Sequence, residues 1–265
     1  MSEINALLLA AGLGTRLRPL TEHCPKCLVP IAGRPLLEYW LCSLYRLEIG
    51  QVIVNMYHHH LLVEEFLARP CFAGWVRGVL EHELLGTAGT LRENSKSLSV
   101  GTTLLAHADN WCQSELKQFF DYHQNYRPTG TVMTMMTFRT PTPATCGIVE
   151  LDSDGIVQQL YEKASEPPGN LANGAVYLLE PEVIEYAAQM LHIIDFSTEV
   201  IPEFLGRIAT WENTGVHRDI GALDSLIDAQ QDHHQNLCWP EIDDWMRQYQ
   251  NNPVHEQLSA AMRKV

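Results

Sequence analysis

Runs rich in apolar residues alternate along the chain with stretches whose apolar residues recur every three or four positions. The runs at 4–11, 51–57, 75–81, 102–108, 131–138, 147–152 and 171–180 predict strands. The stretches at 34–48, 60–68, 88–98, 114–126, 181–191, 197–205 and 222–236 predict helices. Through the first half, strand and helix alternate, which predicts a parallel sheet with helices on both faces. Residues 131–163 break that rhythm. TVMTMMTF, GIVELD and GIVQQLYEK follow one another as strands, with Asp154-Gly155 as a hairpin turn. The expected architecture is α/β, with a mixed, mostly parallel sheet flanked by helices and a second half that supplies a lid over the sheet edge. Two short helical patterns close the chain. One carries Trp245, Met246 and Tyr249, the other Val254, Leu258 and Ala261, and Pro253 separates them. They divide the chain into a domain over 1–230 and a C-terminal helical extension over 231–265 that packs on the core or on a neighbouring subunit. A homo-oligomer is left open.

The first run ends in Gly12-Leu13-Gly14-Thr15-Arg16, and Pro25-Lys26 follows. A glycine-rich turn after a strand lets backbone N–H groups approach a phosphate chain closely. Arg16 and Lys26, ten residues apart, supply fixed cations to face it. The dinucleotide fingerprint G-x-G-x-x-G fails at its third glycine, where Leu17 stands. The acidic residue expected at the end of the second strand is also missing, since VIVN ends in Asn55. A P-loop is excluded because no Gly-Lys pair is followed by Ser or Thr. G-L-G-T-R-L-R-P-L-T followed by P-K resembles the signature of the sugar-1-phosphate nucleotidylyltransferases, also called nucleoside-diphosphate-sugar pyrophosphorylases. That resemblance implies a Rossmann-like core and covers about residues 4–230.

Charge narrows the partners. The 265 residues carry a formal net charge of −14, which argues against a nucleic-acid partner. An acidic chain that binds a triphosphate needs local cations, for which Arg16, Arg18, Lys26 and Lys163 are candidates, and a metal such as Mg²⁺. Seven cysteines lie scattered, an odd count that fits free thiols in a reducing cytosol. Cys24 and Cys27 form a C-x-x-C, but no second pair exists and Lys26 lies inside it, so no zinc site is expected. The N-terminus carries Glu3 and no basic region, and its apolar run is too short to export the chain or to span a membrane. A soluble, cytoplasmic protein is expected. His58, His59 and His60 are adjacent and do not converge on one ion, so they read as surface or helix-start residues.

Nucleotidyl transfer joins a sugar 1-phosphate to the α-phosphorus of a nucleoside triphosphate and expels pyrophosphate. It needs in-line positioning, charge neutralisation and a metal, but no strong base, because the attacking phosphate oxygen is already ionised. Mg²⁺ prefers hard oxygens. Asp109 ends the strand TTLLAHAD, at the edge where open α/β sheets bind ligands, and lies five residues too early to cap the helix at 114. Asp219 sits in HRDIG before Gly221. The resemblance supports both as metal ligands, although Ala108 stands where the family has glycine. It also implies catalytic roles for Arg16, Lys26 and Asp109, and nucleotide contacts at Leu9, Ala11, Gly12, Gly14, Thr15, Glu81, Gly86 and Thr87. It further implies sugar-phosphate contacts at Gly147, Glu162, Lys163, Asn173 and Gly174, with Ala164 in place of a family proline. Glu81 and Glu83 precede LLGTAGTL. A carboxylate only accepts hydrogen bonds, so either would favour guanine, with its two adjacent donors, and cytosine second. The core looks most like guanylyltransferases acting on mannose 1-phosphate or a related manno-configured sugar. Uridylyl-, thymidylyl- and cytidylyltransferases are the alternatives within the family. A non-catalytic regulatory subunit is the alternative outside it, disfavoured because the signature Arg, Lys and both Asp are present.

Overall fold

The computed structural model describes residues 4–239 and 242–263, so Glu3 lies outside the described residues. In chain order the elements begin with β1 (Ile4–Leu9), β2 (Pro30–Ile31), β3 (Arg34–Pro35), α1 (Leu36–Arg46), β4 (Gln51–Met56), α2 (His60–Leu67) and β5 (Val76–Leu80). They continue with α3 (Gly86–Leu98), β6 (Thr102–His107), β7 (Asn110–Gln113), α4 (Leu116–Asn125), β8 (Met133–Arg139), β9 (Gly147–Leu151), β10 (Val157–Glu162) and β11 (Leu171–Leu179). The last are α5 (Pro181–Gln189), β12 (Ile208–Glu212), β13 (Val216–Asp219), α6 (Leu223–Gln231), α7 (Asp244–Tyr249) and α8 (Pro253–Met262). The fold is α/β, a mixed sheet flanked by helices, with helices at the C-terminal end. Among the described residues no helix is long and apolar enough to cross a membrane.

The chain divides into two compact units. The first holds Met1–Leu7, Leu85–Ala106 and Ser114–Gly215. Its strands follow the order β10, β9, β11, β6, β1, with β8 beside β11 and β12 beside β8. Strand β11 runs antiparallel to β6, β8 and β9, while β12 is parallel to β8, so four strands share one direction against β11. The hairpin expected at Asp154-Gly155 joins β9 to β10, with Gly155 at φ +78°. The helix expected over 197–205 is instead a π turn, Phe196–Val200, followed by a 3-10 turn, Ile201–Phe204. Pro202 has no N–H to donate back along an α-helix, so the register changes before it.

One buried polar cluster in this unit sets an acid limit. His123 is 1% exposed, with Nδ1 2.7 Å from Thr134 Oγ1. Arg127 Nη1 donates to His123 Nε2 and to Glu180 Oε1. That arrangement fits a neutral ring whose Nδ1–H donates to Thr134. Burial, and then the Arg127 guanidinium, push the His123 pKa down to about 4. The unfolded chain, with an imidazole near 6.5, then binds the proton more readily than the folded one. This contribution to stability is full above about pH 6.5 and is lost as the pH falls towards 4. Thermal melts between pH 7.5 and 4.5 should show a steeper acid fall in the unmodified protein than in a His123→Asn variant. Parallel curves would contradict this reading.

The second unit holds Leu8–Leu84, His107–Gln113 and Val216–Val265. Strand β4 lies between β1 and β5 and runs parallel to β5, with Asn55 opposite Val79 and Met56 opposite Leu80. Strands β7 and β13 form a separate antiparallel ribbon. Helix α1 buries Leu36, Leu37, Leu41 and Leu44 completely, and also Glu38. That charge is tolerated because Arg34 and Arg69 pair with it at 2.8 and 3.0 Å. Arg69 also donates from Nε to Asp243 at 2.7 Å, while the other Asp243 oxygen caps α7 through the Met246 N–H. Trp245 packs on Phe66 and stacks on Tyr249, whose hydroxyl donates to the Leu28 carbonyl. The two C-terminal helices thus bury Met246, Tyr249, Val254 and Leu258.

Candidate active site

In the second unit the chain leaves β1 at Leu9, and three of its segments meet around one lysine. Gly14 adopts φ +62°, and a Cβ there would lie 2.8 Å from Thr21 Cγ2 and 3.2 Å from Lys26 Cβ. The position therefore needs glycine for its conformation and for its close approach to the Lys26 stem. Thr21 Oγ1 donates to the Gly14 carbonyl at 2.8 Å and fixes the loop. Thr15–Leu17 then form a 3-10 turn that leaves Thr15 and Arg16 exposed. Ala11 is buried, Gly12 is exposed and Arg18 is exposed.

Lys26 is buried, and its Nζ donates to Asp109 Oδ2 at 2.6 Å and to Asp219 Oδ1 at 3.1 Å. Arg16 Nη2 lies 3.5 Å from Asp219 Oδ2. The backbone explains why two aspartates far apart in sequence converge. Asp109 immediately precedes β7 and Asp219 ends β13, and the ribbon register sets Asp219 opposite Asn110. The Ala108 N–H donates to the Leu9 carbonyl, so the same turn is tied to the start of the glycine loop. A Cβ on Gly12 would lie 3.8 Å from Asp109 Oδ2, and one on Gly221 would lie 2.6 Å from Arg16 Nη2 and from Asp219 Oδ2. Gly221 thus keeps a side chain out of the space around these charges, whereas the approach at Gly12 is an ordinary van der Waals contact. Burial pulls the Lys26 pKa down, but the Asp109 and Asp219 carboxylates outweigh it and the ammonium is held above its ordinary range. Burial pushes Asp109 up, while Lys26 and His107 bring it below the usual carboxylate range. Both members of the pair are charged at neutral pH.

Asp109 Oδ1 is buried and has no hydrogen-bond partner among the described residues. A buried carboxylate oxygen left unpaired costs free energy unless a ligand meets it. Asp109 and Asp219 offer hard oxygens, the donor type Mg²⁺ takes. Among the described residues no group of three or more His, Cys, Asp or Glu gathers in a metal-binding arrangement. At phosphoryl sites Mg²⁺ is usually bound by one or two carboxylates together with substrate phosphates. Cys24 and Cys27 are buried, and burial pushes the Cys27 thiol up to about 12.

Glu81 follows β5 in the same unit. It is buried, its N–H donates to the Met56 carbonyl, and its Oε1 accepts from Asn55 Nδ2 at 2.8 Å. Glu83 is exposed. Among the histidines, His59 sits at φ +52° with Nε2 3.2 Å from the Thr21 carbonyl, and α2 begins at His60.

The other expected contacts lie in the first unit. Gly86 opens α3 at φ +74°, and a Cβ there would run into the Ile194 carbonyl. Thr87 Oγ1 accepts from the Phe196 N–H at 2.7 Å. Gly147 pairs with Glu162 in the β9–β10 register, and a Cβ on Gly147 would lie 2.6 Å from Glu162 Oε1. Burial, and then Asp195, raise the Glu162 pKa, partly offset by Lys163. Lys163 is exposed and sits at φ +49° with its N–H on the Cys146 carbonyl. Asn173 donates to the Tyr177 hydroxyl at 2.8 Å and accepts from the Ala175 N–H at 2.9 Å. It thereby holds an irregularity in β11 that contains Gly174. Asn55, Tyr177 and Asp195 join these contacts without belonging to the signature. The one sequence signal for them is a polar residue, Asn55, ending an apolar run.

Residues 5–236 match the family described as "Nucleotidyl transferase". The chain is 28% identical over 230 residues to the mannose-1-phosphate guanylyltransferase of Mycobacterium tuberculosis, covering 85% of this chain and 63% of that protein. It is 33% identical over 184 residues to the mannose-1-phosphate guanylyltransferase catalytic subunit beta of Drosophila pseudoobscura pseudoobscura, covering 68% of this chain and 49% of that one. The chain thus spans only about half to three-fifths of the length of these relatives. In fold it is similar to HddC from Yersinia pseudotuberculosis, with a TM-score of 0.72 at 21% identity over 87% of this chain and 99% of that one. With the family match running from β1 through the glycine loop and both aspartates to the end of α6, the chain belongs to the nucleotidyl transferase family.

Proposed function

We propose that this chain transfers a nucleotidyl group from GTP to a sugar 1-phosphate, releasing pyrophosphate, with mannose 1-phosphate or a related manno-configured sugar as acceptor. The observation that carries the reading is the buried, unpartnered Asp109 Oδ1 beside Asp219, with Lys26 shared between the two carboxylates. The relatives named as mannose-1-phosphate guanylyltransferases support the choice of nucleotide and sugar. Mg²⁺ held by Asp109 and Asp219 would offset the charge of the two phosphate-bearing substrates and polarise the α-phosphate.

The remaining steps belong to side chains and backbone. The loop at Gly12–Thr15 offers N–H groups to the triphosphate. An oxygen of the sugar phosphate attacks the α-phosphorus in line, the bond to the bridging oxygen breaks, and pyrophosphate leaves with that electron pair. Arg16, exposed and in long contact with Asp219 at 3.5 Å, meets the charge that develops on the pyrophosphate. Lys26 orients both carboxylates. Glu81 accepts from the base. Glu162 and Lys163 take the sugar hydroxyls and the sugar phosphate. Removal of divalent cations with a chelator should abolish pyrophosphate release, and added Mg²⁺ should restore it.

Lys163→Ala should raise the KM for sugar 1-phosphate and leave nucleotide affinity within about twofold. Its exposed ammonium would be worth about 1–3 kcal/mol to a phosphate. Calorimetric titration of each ligand separately checks this. Equal weakening for both ligands would show that the subsites are not divided in this way.

A further inference from the structure

We propose that Asn55 is a specificity-setting positioning residue: its carboxamide ties the backbone at the end of β1 to the Glu81 carboxylate and so fixes the direction in which that carboxylate meets the nucleotide base. The inference rests on the guanylyl reading above and names a residue that reading does not require.

Asn55 is 3% exposed and Glu81 6%. Both stand at the carboxyl ends of neighbouring parallel strands, β4 and β5, where ligands of open α/β sheets bind. The Ala10 N–H has just left β1, and it donates to Asn55 Oδ1 at 2.6 Å. An amide N–H can only donate, so this contact fixes which end of the carboxamide is oxygen. The amide nitrogen must then face Glu81, and it donates to Oε1 at 2.8 Å. The Glu81 backbone is held as well, through its N–H on the Met56 carbonyl at 2.8 Å. Backbone and carboxylate of Glu81 are therefore both anchored to β4.

This chain of contacts has chemical direction. Ala10 donates, Asn55 accepts and donates, and Glu81 accepts. The amide nitrogen can only donate, and it meets a carboxylate oxygen, which can only accept. It also fixes the plane of the carboxylate. Guanine presents N1–H and N2–H₂ on one edge, and a carboxylate must lie in the plane of the base to receive both. A carboxylate free to rotate would lose part of that bidentate contact, worth about 5- to 150-fold in discrimination. Asn55 also links the base subsite to the first residues of the glycine loop, so base and phosphates are read from one rigid set of strand ends.

A purely structural role for Asn55 would be to satisfy the Ala10 N–H. Asn55→Asp separates the two roles, because a carboxylate still accepts from Ala10 but cannot donate to Glu81. Specificity constants for GTP and UTP should be measured on the full chain, together with the KM for mannose 1-phosphate and the melting temperature. In N55D the GTP-to-UTP ratio should fall about tenfold or more, carried by the KM for GTP rather than by kcat. The KM for mannose 1-phosphate should stay within about twofold. The double variant N55D/E81Q restores a donor–acceptor pair with reversed polarity. It should recover the melting temperature but not the GTP preference. Equal losses for GTP and UTP in N55D, or recovery of GTP preference in the double variant, would overturn the assignment. If the unmodified chain prefers another nucleotide, the guanylyl reading fails. The role of Asn55 is then judged on the ratio between that nucleotide and the next best: collapse in N55D supports it, and no change overturns it.

Discussion

Replacing Asp109 with Asn is expected to cut pyrophosphate release about 100- to 1,000-fold, the loss typical of removing one electrostatic stabiliser. The geometry explains why a change of so little volume has so large an effect. Lys26 Nζ must still be met by an oxygen at 2.6 Å, so the new amide oxygen takes the place of Oδ2. The amide nitrogen then occupies the position of the buried, unpartnered Oδ1. A donor stands where a cation would bind. The fold should survive, because Lys26 keeps Asp219 at 3.1 Å. A rate within about fivefold of the unmodified enzyme at saturating Mg²⁺ would contradict the assignment.

Lys26→Met should damage both stability and rate. The substitution keeps the length of a stem packed under Gly14 but leaves Asp109 without its cation. Breaking one side of a buried ion pair costs about 3–5 kcal/mol. Asp219 is largely exposed and adds little to that figure. For a chain of this size the melting temperature should fall by about 6–20 °C. The rate should fall along with it, because the two carboxylates repel each other and lose their shared anchor. Lys26→Arg should rescue little, since the planar guanidinium does not fit where a compact ammonium donates to two separate oxygens in a nearly closed site. Differential scanning calorimetry with initial rates on the same preparation checks both effects. An unchanged melting temperature would mean that the pair is more solvated than its burial indicates.

Most of the fold is legible in the chain because its strands are apolar runs and its helices keep one buried face. Residues 6–9 of β1 and 52–54 of β4 are buried apolar runs, short and unbroken, the form that marks a buried strand. Strands β7, β12 and β13 are not legible in this way. NWCQ and VHRD are four residues each and mix polar with apolar positions, so neither shows a run or a clear alternation. Yet their pairing is what carries Asp109 to Asp219. The residue types of the site were visible through their resemblance to a known signature, while the reason for their convergence lies in a ribbon that only the structure displays. Asn55 illustrates the opposite failure. Read as an absence, the missing acid of a dinucleotide fingerprint, it carried no message. Its meaning lies in partners at residues 10 and 81, far away along the chain.

The glycines divide in a similar way. Gly14 needs its positive φ and its approach to Lys26 at once. Gly86 was expected at the nucleotide, and its backbone is shaped by the Ile194 carbonyl. Thr87 likewise spends its hydroxyl oxygen on the Phe196 N–H. These positions therefore have local structural work in their own unit, whatever ligand the segment also meets.

The decisive experiment incubates the purified chain with mannose 1-phosphate, Mg²⁺ and each of GTP, CTP, UTP, dTTP and ATP in turn, and measures pyrophosphate and the nucleotide sugar together. Pyrophosphate and GDP-sugar should form in equal amounts, with the highest specificity constant for GTP. No pyrophosphate from any nucleotide with a panel of sugar 1-phosphates would contradict nucleotidyl transfer itself, and a clear preference for UTP or dTTP would contradict the reading of guanine by Glu81.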